Sequence, residues 1–139
     1  MIVLDTNVIS ELQGRLHSET ILRWLDRYDS EAVFLTAIAM GEIHFGIALL
    51  PAGARRNSLS ETFTRIETEF SGRILSFSHS VAARYGYLAA QRQKDGRPME
   101  TKDAMIAAIC LSHDATLATR NTKDFEGLDL KLVNPFEEA

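Results

Sequence analysis

Little in this 139-residue chain points to a secreted, membrane-bound or zinc-stabilised protein. It has a single cysteine, so no internal disulfide can form. That residue, Cys110, sits in the apolar run AMIAAICL, where a small buried core residue is expected. No stretch approaches the roughly 20 apolar residues of a membrane span. The N-terminus lacks the basic flank and cleavage site of a signal peptide, because its apolar run is broken at Asp5. The histidines His17, His44, His79 and His113 are scattered, with neither HExxH nor Cys/His ligand spacing, which argues against a structural zinc site. A GxSxG elbow and a GxxxxGKS/T loop are also missing, which argues against a serine hydrolase or a P-loop enzyme. Repeats, low-complexity tracts and linker-like composition shifts are absent too. The expectation is a cytoplasmic protein made of one domain, residues 1–139, with no membrane association.

Positive charge is in short supply as well. The formal net charge is −4, which on its face disfavours a nucleic-acid binder, since phosphate contacts need Lys and Arg. Setting aside four acids, Asp5, Glu42, Asp103 and Asp124, brings −4 to 0. Charge therefore decides nothing until those acids are placed.

What is present is an alternation of short apolar runs and helical patterns. IVLDTN reads as a buried strand. LHSETILRWLDRY follows as a helix, with Leu16, Ile21, Leu22, Trp24, Leu25 and Tyr28 at helical spacing and Ser18 as its N-cap. AVFLTAI has strand length, and AMGEIHFGIALL carries a helical stripe through Met40, Ile43, Ile47 and Leu50 until Pro51 and Gly53 end it. ARRNSLSETFTRIETEFSG is a further helix and RILSF a third strand. HSVAARYGYLAAQRQKDG and, after a loop, RPMETKDAMIAAICLSHD are helices. TLATRN is a fourth strand, NTKDFEGL a turn, and LKLVNPF a last short strand. Strands separated by helices imply crossover connections, hence an α/β fold with a mainly parallel sheet of about four to five strands covered on both faces. In such sheets ligands gather beyond the carboxyl ends of the strands. DTN and TRNTKD fall at two of those ends, and the second strand leads into the helix bearing Glu42.

Taken singly, each acid has an ordinary explanation. Asp5 can close an Asx-turn or cap a helix, Glu42 can sit on a solvated helix face, and Asp103 suits the first turn of a helix. Asn121 and Asp124 are common turn residues. Brought together, mutually repelling carboxylates need a hard cation, and Mg²⁺ takes one or two carboxylates while keeping several waters. Such an ion polarises a phosphoryl group and activates water. The basic residues Arg55, Arg56, Arg92, Lys94 and Arg97 read as solvated surface. Lys102, Arg120 and Lys123 adjoin the acids and are placed to hold phosphates.

DTNVISE, AMGEIHFG, KDAMIAA and ATRNTKDF, in that order and with the closing VNPF, resemble the PIN-domain ribonucleases of the VapC/FitB toxin type over the whole chain. The resemblance implies a PIN-like three-layer sandwich. It matches Asp5, Glu42 and Asp103 to the family's first three acids and assigns them to a Mg²⁺ or Mn²⁺ site. Asp5 and Asp103 are then the direct ligands, while Glu42 orients or deprotonates metal-bound water. The fourth position departs from the pattern, with Asn121 after TR and the nearest carboxylate at Asp124; both are carried as catalytic candidates. Thr6 joins Lys102, Arg120 and Lys123 as a substrate-contacting candidate, and Asn7 is equally well a turn residue. A VapB/FitA-like antitoxin, operator DNA reached only through that complex, RNA as substrate and a homodimer are implied in the same way. Two other readings of the residues stay open: a PIN-like module that binds RNA or protein without cutting, and a metal-dependent phosphatase or DNA nuclease. A haloacid-dehalogenase-like phosphatase would need a second Asp where Asn7 stands.

Overall fold

Ile2–Leu4 form the central strand, β1, of a computed structural model that describes residues 1–13 and 19–137. Ile2 and Leu4 point into one apolar cluster and Val3 into another, as the two-residue period of a strand requires. Burial on both faces is why this strand reads as an unbroken apolar run. The remaining strands are β2 (Val33–Thr36), β3 (Ile74–Leu75), β4 (Thr116–Ala118) and β5 (Lys131–Val133). They lie in the order β3-β2-β1-β4-β5, and every neighbouring pair is parallel.

Helices cover both faces. On one side α1 (Thr6–Gln13), α2 (Glu19–Leu25), α3 (Ala37–Leu49) and α4 (Ala54–Glu69) bury Ile9, Trp24, Met40, Ile43, Phe63 and Ile66 against Ile2, Leu4 and Leu35. On the other, α5 (His79–Lys94) and α6 (Thr101–Ser112) bury Val81, Leu88, Ile106 and Ile109 against Val3 and Leu117. The result is the expected three-layer α/β sandwich. Cys110 lies in this second cluster, where burial pushes its thiol up to about 12, so it is the inert core residue the sequence implied.

Three boundaries differ from the sequence reading. IVLDTN is strand only to Leu4, and Thr6 already opens a helix that buries Val8 and Ile9. AVFLTAI divides at Thr36, whose hydroxyl accepts a hydrogen bond from Ala39 N at 3.1 Å and caps α3. Such a cap is worth about 1 kcal/mol. RILSF contributes only two strand residues. Leu16, His17 and Ser18, the expected opening of the second helix, lie outside the described residues. That helix ends at Leu25, and Tyr28 packs edge-on against Trp24 beyond it, ring centres 5.1 Å apart.

Chain order runs outward from β1 through β2 to β3, then returns to β4 on the other side of β1 and continues to β5. The reversal falls between β1 and β4, which is where an open parallel sheet leaves a crevice for a ligand. Leu4 pairs with Ala118 in register. The next residue of each strand, Asp5 and Thr119, therefore leaves the sheet beside the other.

Candidate active site

Asp5 is buried at this crevice, and its carboxylate is held from three directions. Thr119 Oγ1 donates to Oδ2 at 2.7 Å, Thr6 N donates to Oδ1 at 2.8 Å, and Asn7 Nδ2 donates to Oδ2 at 3.3 Å. Its own N–H continues the ladder to Ala118 O at 2.9 Å. Thr119, fully buried, is the hub: its hydroxyl also accepts from Asn7 Nδ2 at 3.3 Å and from Asn121 N at 3.1 Å. Asn7 completes the link by accepting from Arg120 N at 3.1 Å. DTN and TRN thus form one hydrogen-bonded unit across the β1–β4 ends.

The other acids come from separate elements. Glu42 extends from α3 with Oε1 accepting from Thr6 Oγ1 at 3.2 Å and Oε2 3.5 Å from Lys102 Nζ. Asp103 lies in the first turn of α6. Asp124 follows β4 on a 3-10 turn, Thr122–Phe125. All four line one cavity of about 810 Å³, together with Thr6, Asn7, Asn121 and Lys123. Their charges feel one another. Burial, then repulsion from Asp5, Glu100, Asp124 and Glu42, pushes the Asp103 carboxyl up to about 6. Burial raises Asp5 against its three hydrogen bonds, and the Asp124 charge adds to the rise.

This donor set suits a hard divalent cation. Asp5, Glu42, Asp103 and Asp124 all offer oxygen, and repulsion from neighbouring acids adds to burial in raising both Asp5 and Asp103, a repulsion that a cation would relieve. Glu42 has Lys102 beside it. Among the described residues, no three acids stand close enough to enclose an ion by themselves. One or two carboxylates with water completing the shell is the arrangement Mg²⁺ takes.

The structure gathers most of the sequence candidates but not all. Asp5, Thr6, Glu42, Asp103, Asn121, Lys123 and Asp124 line the cavity, and Lys102 touches it through Glu42. Arg120 does not line it. Its guanidinium pairs with Glu11 at 3.4 Å and stacks on Phe136 instead. At the fourth position Asp124, exposed as it is, raises both Asp5 and Asp103, whereas Asn121 contributes an uncharged amide.

Three contributors are not legible in the sequence. Thr119 reads there as part of the TLATRN strand, and its place one step past β4, opposite Asp5, depends on the β1–β4 register. Glu100 stands at the N-cap of α6 and repels Asp103. Arg92 corrects the solvated-surface reading: it is buried, with Nε donating to Arg97 O at 2.8 Å and Nη1 to Glu126 O at 2.9 Å. It staples the α5–α6 loop, whose Arg97, Pro98, Met99 and Glu100 line the cavity, to the segment just after Asp124.

Two expectations follow for these residues. Thr119→Val removes the hydroxyl that fixes Asp5 and is expected to lower activity roughly 10–100-fold, as loss of a ligand-orienting partner does. It should also cost about 1–3 kcal/mol in chemical denaturation, because Asp5 and Asn7 lose a buried partner; a variant equal to the parent in both would contradict the hub. For Asp103 the sign is set by its raised proton affinity. From its ordinary 3.8 up to about 6 the folded chain binds more protons than the unfolded one, so stability drains away as pH rises. In EDTA, the stability gained by Asp103→Asn should therefore grow from pH about 4 to pH about 7. A gain independent of pH would mean that Asp103 is not in this acidic cluster.

A family model described as PIN domain matches residues 2–130. The chain belongs to the PIN-domain family. It is 39% identical over 143 residues to the "VapC ribonuclease Y4jK" of Sinorhizobium fredii, covering 100% of each chain. It is 39% identical over 139 residues to "Toxin FitB" of Neisseria gonorrhoeae, covering 99% of this chain and 100% of that protein. Among solved structures, one titled "Structure of FitAB bound to IR36 DNA fragment" superposes with a TM-score of 0.90 at 39% identity, covering 99% of this chain and 96% of that one. The PIN fold expected from the motifs is the fold observed.

Proposed function

We propose that this chain is a divalent-metal-dependent endoribonuclease, the toxin of a type II toxin–antitoxin pair, working as one PIN domain over residues 1–139. The observation that carries the reading is the convergence of Asp5, Glu42, Asp103 and Asp124 on one cavity at the point where strand order reverses. Asp5 and Asp103 are the residues that would hold the ion, with Glu42 at its edge. When bound, Mg²⁺ or Mn²⁺ would polarise the phosphate and make water a better nucleophile near neutral pH.

The chain's own groups do the rest. Thr119, Thr6 and Asn7 fix the Asp5 oxygens, so the site needs little reorganisation as charge develops. Glu42, steadied by Thr6 and Lys102, accepts a proton from the attacking water as its oxygen bonds to phosphorus and the leaving oxygen departs. Lys123 on the cavity wall counters the phosphate charge. Asp124 completes the acidic group, and Asn121 holds the turn to Thr119 through its N–H. Single-stranded or looped RNA suits such a recessed site, because its backbone can be splayed into it.

A FitA/VapB-like antitoxin is the proposed partner, and operator DNA is reached only through that complex, a reading supported by the DNA-bound FitAB structure. Phe45 and Leu49 on α3 and Tyr87 on α5 are large apolar side chains left exposed. They support a homodimer. Among the described residues no helix is long and apolar enough to cross a membrane, and we place the protein in the cytoplasm.

Substrate class decides this reading. Purified chain, freed of any partner, is incubated with structured RNA, single-stranded DNA and a phosphomonoester in Mg²⁺ or Mn²⁺. RNA alone should be cut. Hydrolysis of the phosphomonoester or of DNA in its place would make the protein a phosphatase or DNA nuclease, and RNA bound but left intact would make it a binding module.

A further inference from the structure

Next to the acid cavity lies a smaller one of about 290 Å³, and the two share Asn121, Lys123 and Asp124 as a common wall. Its character is different. Arg120 lines it, with the guanidinium carbon 3.7 Å above the centre of the Phe136 ring, at stacking distance. The pair is held in place. Arg120 Nη2 reaches Glu11 Oε1 at 3.4 Å, Asn134 Nδ2 donates to Arg120 O at 3.3 Å, and Asn134 Oδ1 accepts from Phe136 N at 3.0 Å. Asn134 thus ties the backbone of the arginine to that of the ring, and a ligand meeting the guanidinium plane finds it already ordered. The Arg120 side chain is still 53% exposed. Lys123 adds a cation with no carboxylate partner among the described residues.

A half-open guanidinium face and a free ammonium, one wall away from a cluster of phosphate-cutting acids, match the two ends of a nucleotide. A base lies flat on the arginine, and its phosphate falls near the lysine. We propose that this cavity is a subsite for the nucleotide adjoining the cleaved bond, with Arg120, stacked on Phe136, as the platform that takes its base. The inference rests on the ribonuclease reading and gives that site a source of sequence preference. Glu137, at the same cavity, supplies an acceptor. It suits a base with an exocyclic amino group, so adenine, cytosine or guanine is favoured over uracil.

The test uses the full chain and a pool of short single-stranded RNAs of randomised sequence, cut in Mg²⁺ or Mn²⁺ and read by sequencing the new ends. The unsubstituted protein should disfavour uracil roughly five- to tenfold at one position beside the cut. Arg120→Lys keeps the charge but lacks the planar face, and Phe136→Leu removes the ring beneath it. Each should flatten the preference below about twofold while cutting continues. Arg120→Lys, at an exposed position, carries the test if Phe136→Leu fails to fold. Ends that show no base preference with the unsubstituted protein, or a preference unchanged in Arg120→Lys, would overturn the subsite and leave the ribonuclease reading standing. A pool left wholly uncut would overturn the ribonuclease reading and the subsite with it.

Discussion

Asp5→Asn is expected to reduce RNA cutting by roughly three orders of magnitude, the scale on which enzymes lose a charge-stabilising or acid–base group. The same substitution should leave the metal-free protein at least as stable as its parent near neutral pH. Burial holds the Asp5 carboxyl above its usual range, so its ionised form is unfavourable in the folded chain, and Asn removes that burden. Asn keeps one acceptor oxygen, which can serve Thr119 and Asn7 in the place of Oδ2; the bond from Thr6 N to Oδ1 is given up and offsets part of that gain. The combination separates a catalytic defect from a folding defect: activity falls while the denaturation midpoint in EDTA holds or rises. A variant that loses activity only because it has unfolded would show both falling together, and Asp5 would then be a structural residue.

Addition of Mg²⁺ should raise the melting temperature of the parent protein markedly. Binding to the native state alone stabilises it by about 2.7 kcal/mol at a free-ion concentration of 100 times Kd. For a chain of this length that corresponds to roughly 10 °C. Asp5 and Asp103 are the carboxylates proposed to hold the ion, and its charge also offsets the repulsion that Asp5 exerts on Asp103, so the Asp5→Asn/Asp103→Asn double variant should respond far less. Equal shifts in parent and double variant, measured by calorimetry at matched ionic strength, would place the ion elsewhere on the surface.

The alternation of apolar runs and helical stripes is local, and it sufficed for a parallel sheet covered on both faces. Asp5, Glu42 and Asp103 stand out because the motifs around them follow the order seen in the PIN-domain ribonucleases. Local pattern alone left each with an ordinary explanation. The sheet order that puts β1 beside β4 is a long-range fact, and so is the pairing of Leu4 with Ala118. Without that register Thr119 is one more residue at a strand end, and its hydrogen bond to Asp5 is invisible. Arg92 reads as surface for a related reason. A basic residue near the end of a helix usually faces water, and nothing local shows that two loop carbonyls, Arg97 O and Glu126 O, converge on this one. DTN was ambiguous because three residues serve two elements: Asp5 leaves the strand as Thr6 begins α1.

The doubled identity of the fourth position is sharpened by the same geometry. Asn121 donates its N–H to the Thr119 hydroxyl and accepts from Asp124 N at 3.0 Å, so it shapes the turn that presents Asp124. Of the two, it is Asp124 whose charge reaches Asp5 and Asp103. In the proposed site the carboxylate has moved along the turn, with Asn121 left to hold it.

The central claim is that these acids form one metal-dependent site for cutting RNA, and metal withdrawal tests it most directly. Partner-free protein is mixed with a structured RNA, followed on a denaturing gel, in excess EDTA and again after Mg²⁺ or Mn²⁺ is restored. The expected result is an intact RNA in EDTA and discrete internal cuts once the ion returns. Cutting that proceeds equally well in EDTA would contradict the claim.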